Sequence, residues 1–338
     1  MTPRERVLAV LPADVDGVVL ESAGAVSWYL GGARVSVPLG GPSTVAVLVA
    51  RDGDEVRCHV MEADRLRDEE GVTGAVAVDW AEHLVPDDWR RNPRLRSEHD
   101  LEVALRAARA PLTETEVLRY RALGAEAAGA VTAVARELRP DSTERTVAGD
   151  LAASLYALGA EPVVLLVAGA HRLGYRHPLP TSAPLGERAM LVVGARRHGL
   201  IVNLTRWVRF GGAEHPGETG IRRVEADVLA ATVPGTPLAT AFATLQRAYP
   251  AHGFDRDEWR RHHQGGPTGY VGRDPKTTPE TAGVVAERHA FAWNPSAPGL
   301  KVEDTVIAAS TGLELLTHDP AWPAVDVDGR PRPLTLQL

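Results

Sequence analysis

The chain has 338 residues, 44% hydrophobic and 24% charged, with a formal net charge of −7. These figures describe a globular protein of roughly two domains, long enough to bury true cores. Acids and bases are mixed along the sequence, so there is no electrostatic basis for binding nucleic acid or an anionic membrane.

Read from its start, Met1-Thr-Pro-Arg-Glu-Arg6 lacks the apolar core of a secretory signal. The longest apolar runs, such as Pro162 to Ala170, fall far short of the ~20 residues a membrane span needs. A cytoplasmic location is the expectation. Short Val-rich runs bounded by Gly, Pro and Asp predict strands at Gly17 to Leu20, Ser43 to Ala50, Val56 to Met61 and Ala75 to Asp79. Cys58 is the only cysteine, which excludes an intrachain disulfide and a cysteine-rich metal site.

A junction follows near Leu101 to Leu112. Thr113 and Glu116 have the spacing of a capping box, opening a predicted helix to about Leu138. A second helix is predicted from about Ser142 to Leu158, ending at Gly159 before a strand at Val163 to Val167. Strands are expected at Met190 to Val193 and Leu200 to Leu204. Helices are expected at about Gly220 to Ala231 and Leu238 to Tyr249, and strands Val284 to Trp293 and Thr305 to Ser310 close the pattern. The organisation is α+β, without short repeats or low-complexity tracts.

Several segments with chemical potential punctuate this pattern. Gly169-Ala-His-Arg-Leu-Gly-Tyr-Arg-His177-Pro-Leu-Pro180 ends a strand on a loop that presents His177. In Val192-Val-Gly-Ala-Arg-Arg-His-Gly-Leu-Ile-Val-Asn203-Leu-Thr-Arg206 a hairpin sets Val192 and Asn203 eleven positions apart. Arg261-His262-His263-Gln-Gly-Gly-Pro-Thr-Gly-Tyr270-Val-Gly-Arg273 is glycine-rich, but no Lys-Ser/Thr follows, which argues against a phosphate cradle. Its glycines are expected to let the backbone pass close to a substrate. Ala290-Phe-Ala-Trp-Asn294-Pro-Ser296 and Gly299-Leu-Lys-Val-Glu303-Asp304-Thr-Val-Ile-Ala308 follow.

These segments, with the opening stretch Gly17-Val-Val-Leu-Glu-Ser-Ala-Gly-Ala-Val-Ser-Trp-Tyr-Leu-Gly-Gly32, fall in the order seen in the pita-bread metallopeptidase family. The chain resembles that family, of the creatinase, aminopeptidase P and prolidase type, over nearly its whole length. The resemblance implies a small α/β creatinase-like amino-terminal domain at 1–108 and a pita-bread domain at 109–338. It also implies a homodimer, in which the amino-terminal domain of one subunit closes the neighbour's site. Arg34, Trp28 or Tyr29 would then touch the partner's substrate, although the two aromatics also suit a core.

In metal-dependent members two Asp, one His and two Glu hold a metal pair. The matching positions here are Val192, Asn203, His263, Asn294 and Glu303. Valine ligates no metal, and neutral amides are poor substitutes for bridging carboxylates. This resembles a divergent member that has lost most of its ligands, so neither a metal nor another cofactor is expected. His177 matches the proton shuttle of creatinase-like members, although a loop His without a role is the bland alternative. Tyr270 replaces a second family His. Arg273 is either a bidentate partner for a substrate carboxylate or a solvent-facing side chain. Thr205 and Arg206 suit a structural role.

The implied activity is metal-independent, hydrolase-like chemistry on a C–N bond of a small polar or amino-acid-derived substrate or short peptide. His177 acts as base and then acid, and His263 and Glu303 orient it or hold the substrate. Asn203, Asn294 and Tyr270 offer neutral hydrogen bonds, and Val192 lines the pocket. Creatine itself is disfavoured, because a guanidinium asks for more carboxylates than Glu303. Two alternatives stay open: a non-catalytic peptide- or protein-binding pseudo-peptidase, and a residual mono-metal Xaa-Pro-type aminopeptidase.

Overall fold

A computed structural model describes residues 1–338. The chain forms two compact units, Met1–Pro111 with His198–Leu200, and Leu112–Arg197 with Ile201–Leu338. No helix is long and apolar enough to cross a membrane.

The first unit begins with α1 (Pro3–Val10), started by a reciprocal capping box between Thr2 and Glu5. Next come β1 (Gly17–Leu20), α2 (Ala23–Tyr29), β2 (Val45–Ala50), β3 (Asp54–His59) and α3 (Val60–Asp68). Then follow β4 (Val76–Val78), α4 (Asp87–Arg91), β5 (Leu95–Ser97) and α5 (Glu102–Arg109). Its strands make one sheet in the order β4-β3-β2-β1-β5. β1 is buried along its whole length, as its unbroken apolar run requires.

Met61, expected in a strand, instead lies in α3. Val60 and Met61 are 57% and 67% exposed, while Glu62 and Leu66, four apart, point inward. Helical periodicity therefore overrides the local β preference of Val60. The junction near Leu101 to Leu112 likewise contains α5, whose Leu105 and Ala108 are buried three apart.

The second unit opens with α6 (Glu114–Arg136), which starts on the Thr113–Glu116 capping box. Val117, Tyr120, Leu123, Ala127, Val131 and Ala135 form its buried stripe, three to four residues apart. α7 (Glu144–Ala157), β6 (Glu161–Gly169), β7 (Arg188–Arg197), β8 (Leu200–Arg209), α8 (Glu218–Ala231) and α9 (Leu238–Ala251) follow. The remainder is strand: β9 (Gly265–Pro267), β10 (His289–Trp293), β11 (Ser296–Ala297), β12 (Leu300–Lys301), β13 (Val306–Ala309), β14 (Gly312–Leu315), β15 (Ala324–Val327), β16 (Arg330–Pro333) and β17 (Leu336–Gln337).

Two four-stranded sheets, β17-β8-β7-β6 and β14-β13-β10-β9, carry this unit. Val224, Val228, Phe242, Leu245 and Tyr249 from α8 and α9 bury their side chains with Phe291 and Trp293 of β10. Each such side chain contributes about 1.5–3 kcal/mol by leaving water. The strand expected from Val284 begins only at His289. Arg288, at φ 56° in the left-handed region, breaks the extended run just before it.

The segment from Asn203 to Arg206 is stitched to the segment from Glu303 to Thr305. Thr305 Oγ1 accepts from the Asn203 amide at 2.7 Å and donates to the Asn203 carbonyl at 3.0 Å. The Thr205 amide donates to the Glu303 carbonyl at 3.0 Å. Arg206 donates to Asp304 at 2.9 Å, and Thr317 Oγ1 donates to the same oxygen at 2.6 Å. Arg332 grips both oxygens of Glu225, at 2.7 and 2.6 Å, and lies 2.8 Å from Asp304. All four charged groups are buried.

Removing one member leaves its partners charged and dry. Arg332→Ala is therefore expected to lower the unfolding free energy by about 3–5 kcal/mol, read as a shift of the urea midpoint. A loss under ~1 kcal/mol would mean that water reaches the cluster and screens it.

Candidate active site

Six stretches of the second unit carry the candidate residues. Asn203 and Thr205 lie two apart on β8 and so share a face. His177 stands on the loop between β6 and β7, and His262 and His263 fall between a 3₁₀ turn, Glu258–Arg261, and β9. Arg273 lies beyond β9, Asn294 directly follows β10, and Lys301 ends β12 two residues before Glu303.

Glu303 is the electrostatic centre. Thr205 Oγ1 donates to its Oε2 at 2.9 Å, and Lys301 Nζ lies 3.3 Å from the same oxygen. Arg273 donates to Oε1. The side chains of Arg273, Lys301 and Glu303 are only 9%, 5% and 3% exposed. Burial alone would push the Glu303 carboxyl up, but Lys301, Arg273 and Thr205 outweigh it and hold it below the usual carboxylate range. Burial lowers the Lys301 ammonium, Glu303 opposes that, and Arg273 adds to it. Two cations thus face one carboxylate.

Three imidazoles gather beside this group. His262 Nε2 lies 2.9 Å from His177 Nε2, so one nitrogen carries the proton and the other accepts it. The His262 and His263 rings stack with centroids 4.3 Å apart, and His177 meets His262 edge-on at 4.8 Å. Burial, then the positive charge of Lys301 and the adjoining rings, drives His262 down to about 2. Burial, then Arg273, Lys276 and Lys301, takes His263 down to about 3. His177 is lowered by burial and by Lys301 and Lys276, with Glu303 opposing. Burial thus favours the neutral form of all three rings.

The metal pair implied by the resemblance does not fit these residues. Val192 packs among Leu166, Ala168, Met190 and Trp207. Asn203 turns its Nδ2 toward Thr268 Oγ1 at 3.3 Å. Asn294 Oδ1 is buried without a hydrogen-bond partner, and Glu303 already carries two cations. One amide oxygen and one occupied carboxylate cannot bridge two metal ions.

Other candidates are committed elsewhere. The Tyr270 hydroxyl donates to Glu116 Oε1 at 2.7 Å, at the start of α6, rather than toward the histidines. Arg273, read as a substrate partner or a surface side chain, is buried against Glu303. The glycines do pass close to something, but to protein. A Cβ on Gly265 would overlap the Ala292 carbonyl across the β9–β10 pairing, and one on Gly266 would overlap Thr277 Oγ1. Arg34 lies in the first unit, bonded to Glu69 at 3.1 Å and Glu70 at 2.5 Å.

Sequence reasoning passed over His262 and Lys301. The His-His dipeptide was a signal for the first. For the second, Lys301 stands two residues before Glu303 in the same segment, on the same side of an extended chain.

Buried neutral imidazoles make stability depend on pH. Their folded pKa values are depressed, so below the ordinary imidazole value of about 6.5 the unfolded chain binds more protons than the folded one. The unfolding free energy is expected to fall as pH drops from about 6.5 toward 3, and His262→Gln should flatten the slope of denaturation midpoint against pH. An unchanged slope would contradict the neutral cluster.

No protein-family description matches the chain, and no curated protein matches it. Solved structures do. The prolidase from Pyrococcus horikoshii OT3 is similar with a TM-score of 0.76 at 16% identity, covering 94% of this chain and 98% of that one. Dipeptidase PepE from Mycobacterium ulcerans has a TM-score of 0.74 at 18% identity, covering 94% and 95%. The N-terminal domain of the FACT complex subunit SPT16 from Cicer arietinum (chickpea) has 0.67 at 12% identity, covering 94% and 96%. The chain therefore has the two-domain pita-bread fold of prolidases and Xaa-Pro aminopeptidases, a peptidase-type hydrolase fold.

Proposed function

We propose that this chain is a metal-independent, hydrolase-like enzyme acting on a C–N bond of a small polar or amino-acid-derived substrate. His177 is its general base and then its general acid. The observation that carries this reading is the neutral His177–His262 contact at 2.9 Å. A neutral imidazole takes a proton from attacking water as the C–O bond forms, and returns it to the nitrogen as the C–N bond breaks. His262 is a positioning residue, fixing which nitrogen of His177 holds the proton.

The charge balance supports the same chemistry. Arg273 and Lys301 against Glu303 leave one positive charge over in a dry place. That surplus favours a substrate carboxylate or the oxyanion that develops when water adds to a carbonyl carbon. It also disfavours a guanidinium substrate such as creatine. Asn294 Oδ1, buried and without a partner, can accept from a substrate N–H. A homodimer is part of this proposal.

The test is turnover of an amide, amidine and imide library by chelator-treated protein. Hydrolysis should persist without metal, and His177→Ala should lower kcat by about 10²–10⁴-fold while the fold is retained. Turnover that appears only on adding a divalent cation would contradict the proposal. A second reading, a non-catalytic peptide- or protein-binding module, is favoured by the likeness to the SPT16 domain, a subunit of a complex. Failure of the folded chain to turn over any library member would favour that second reading.

A further inference from the structure

His177, proposed above as the acid–base group, and the two rings beside it also make up a set of metal ligands. One ring nitrogen from each of His177, His262 and His263 lies within 4.8 Å of the other two, and His177 and His262 approach to 2.9 Å. An ion about 2.0–2.1 Å from three imidazole nitrogens in tetrahedral array holds those nitrogens roughly 3.3 Å apart. Small side-chain rotations separate the two facing Nε2 atoms and draw the third ring in.

We infer that His177, His262 and His263 bind a single imidazole-preferring transition-metal ion, and that its binding blocks the His177 base. The ion class is Zn²⁺, Co²⁺, Ni²⁺ or Cu²⁺. Three His ligands with an open fourth position form a well-attested tetrahedral set. The set shares His263 with the paired-metal positions but takes none of Val192, Asn203, Asn294 or Glu303.

Two further observations support the site. His263 Nδ1 is buried without a hydrogen-bond partner, so that nitrogen is not committed elsewhere. His177 is exposed, with Tyr175 at 63% and Leu179 at 71% exposure on the same loop, which leaves a route for the ion and a water ligand.

Charge sets the selectivity. Lys301 and Arg273 outnumber Glu303, which both of them hold, and Glu258 is held by Arg176. Hard cations that need several oxygens, Mg²⁺ and Ca²⁺, therefore find none to use. Metal binding stands on the ring geometry alone, whereas the loss of turnover rests on the acid–base role proposed above.

The experiment is titration of the metal-free full chain with Co²⁺, followed by its visible d–d spectrum, and with Zn²⁺ by calorimetry. One equivalent per chain with a tetrahedral Co²⁺ spectrum is expected. His177→Ala and His262→Ala should each weaken binding by more than ~10-fold, the least that even an outer hydrogen-bond partner costs. Asn203→Ala and Asn294→Ala should leave stoichiometry and spectrum unchanged. Circular dichroism establishes that each variant is folded. The absence of saturable binding, or binding that survives His262→Ala but is lost with Asn294→Ala, overturns the site. If Co²⁺ binds and turnover continues, the inhibitory half falls while the acid–base reading stands; if no substrate turns over, binding alone still decides the site.

Discussion

A buried carboxylate gripped by a guanidinium and an ammonium is the constraint on which the site is built. Glu303 is almost wholly removed from water, a state that costs several kcal/mol per ion unless compensated. Arg273, Lys301 and Thr205 supply the compensation from three different segments, and so tie those segments to one point. Metal cations in a pita-bread peptidase perform a similar neutralisation, but they exchange with solution. Tethered side chains do not, and they also carry donors that polarise an oxygen.

The frame around this group is held by protein groups alone. The bonds joining Asn203–Arg206 to Glu303–Thr305 are made mostly by backbone, threonines, Arg206 and Asp304, none of which needs a metal. The cluster of Arg206, Asp304, Arg332 and Glu225 lies directly beneath them. Val192 of β7 packs into an apolar cluster. The amide of Asn203 turns to Thr268, and Asn294 Oδ1 is buried without a partner.

Much of the framework was legible in the sequence, because it rests on local rules. The Thr113–Glu116 box and the three-to-four-residue stripe from Val117 to Ala135 specify α6 without reference to anything distant. β1, α8 and α9 were readable for similar reasons. α3 and α5 were not, since their buried stripes are only two residues long. At the site, the order of the segments named His177, His263, Asn203, Asn294 and Glu303 as candidates, but partners set by tertiary contact stayed hidden. Nothing near Tyr270 in the sequence announces Glu116, 154 positions away. Nothing near Arg273 announces that it turns inward to Glu303, 30 positions on. The glycines at 265 and 266 signalled close approach, yet only tertiary packing identifies what approaches, the Ala292 carbonyl at Gly265 and Thr277 Oγ1 at Gly266.

In the proposed reading, function follows from the state of the imidazoles. Burial, reinforced by the charges of Lys301 and Arg273, favours the neutral form of His262 and His263. The most direct measurement is anomalous diffraction from crystals grown in Mn²⁺ and Co²⁺. If Arg273 and Lys301 have replaced the metals, no peak appears among Asn203, Asn294 and Glu303, and the two cationic side chains remain on the carboxylate. A pair of well-occupied peaks there, about 3.5–4 Å apart, with Arg273 displaced, would contradict the account.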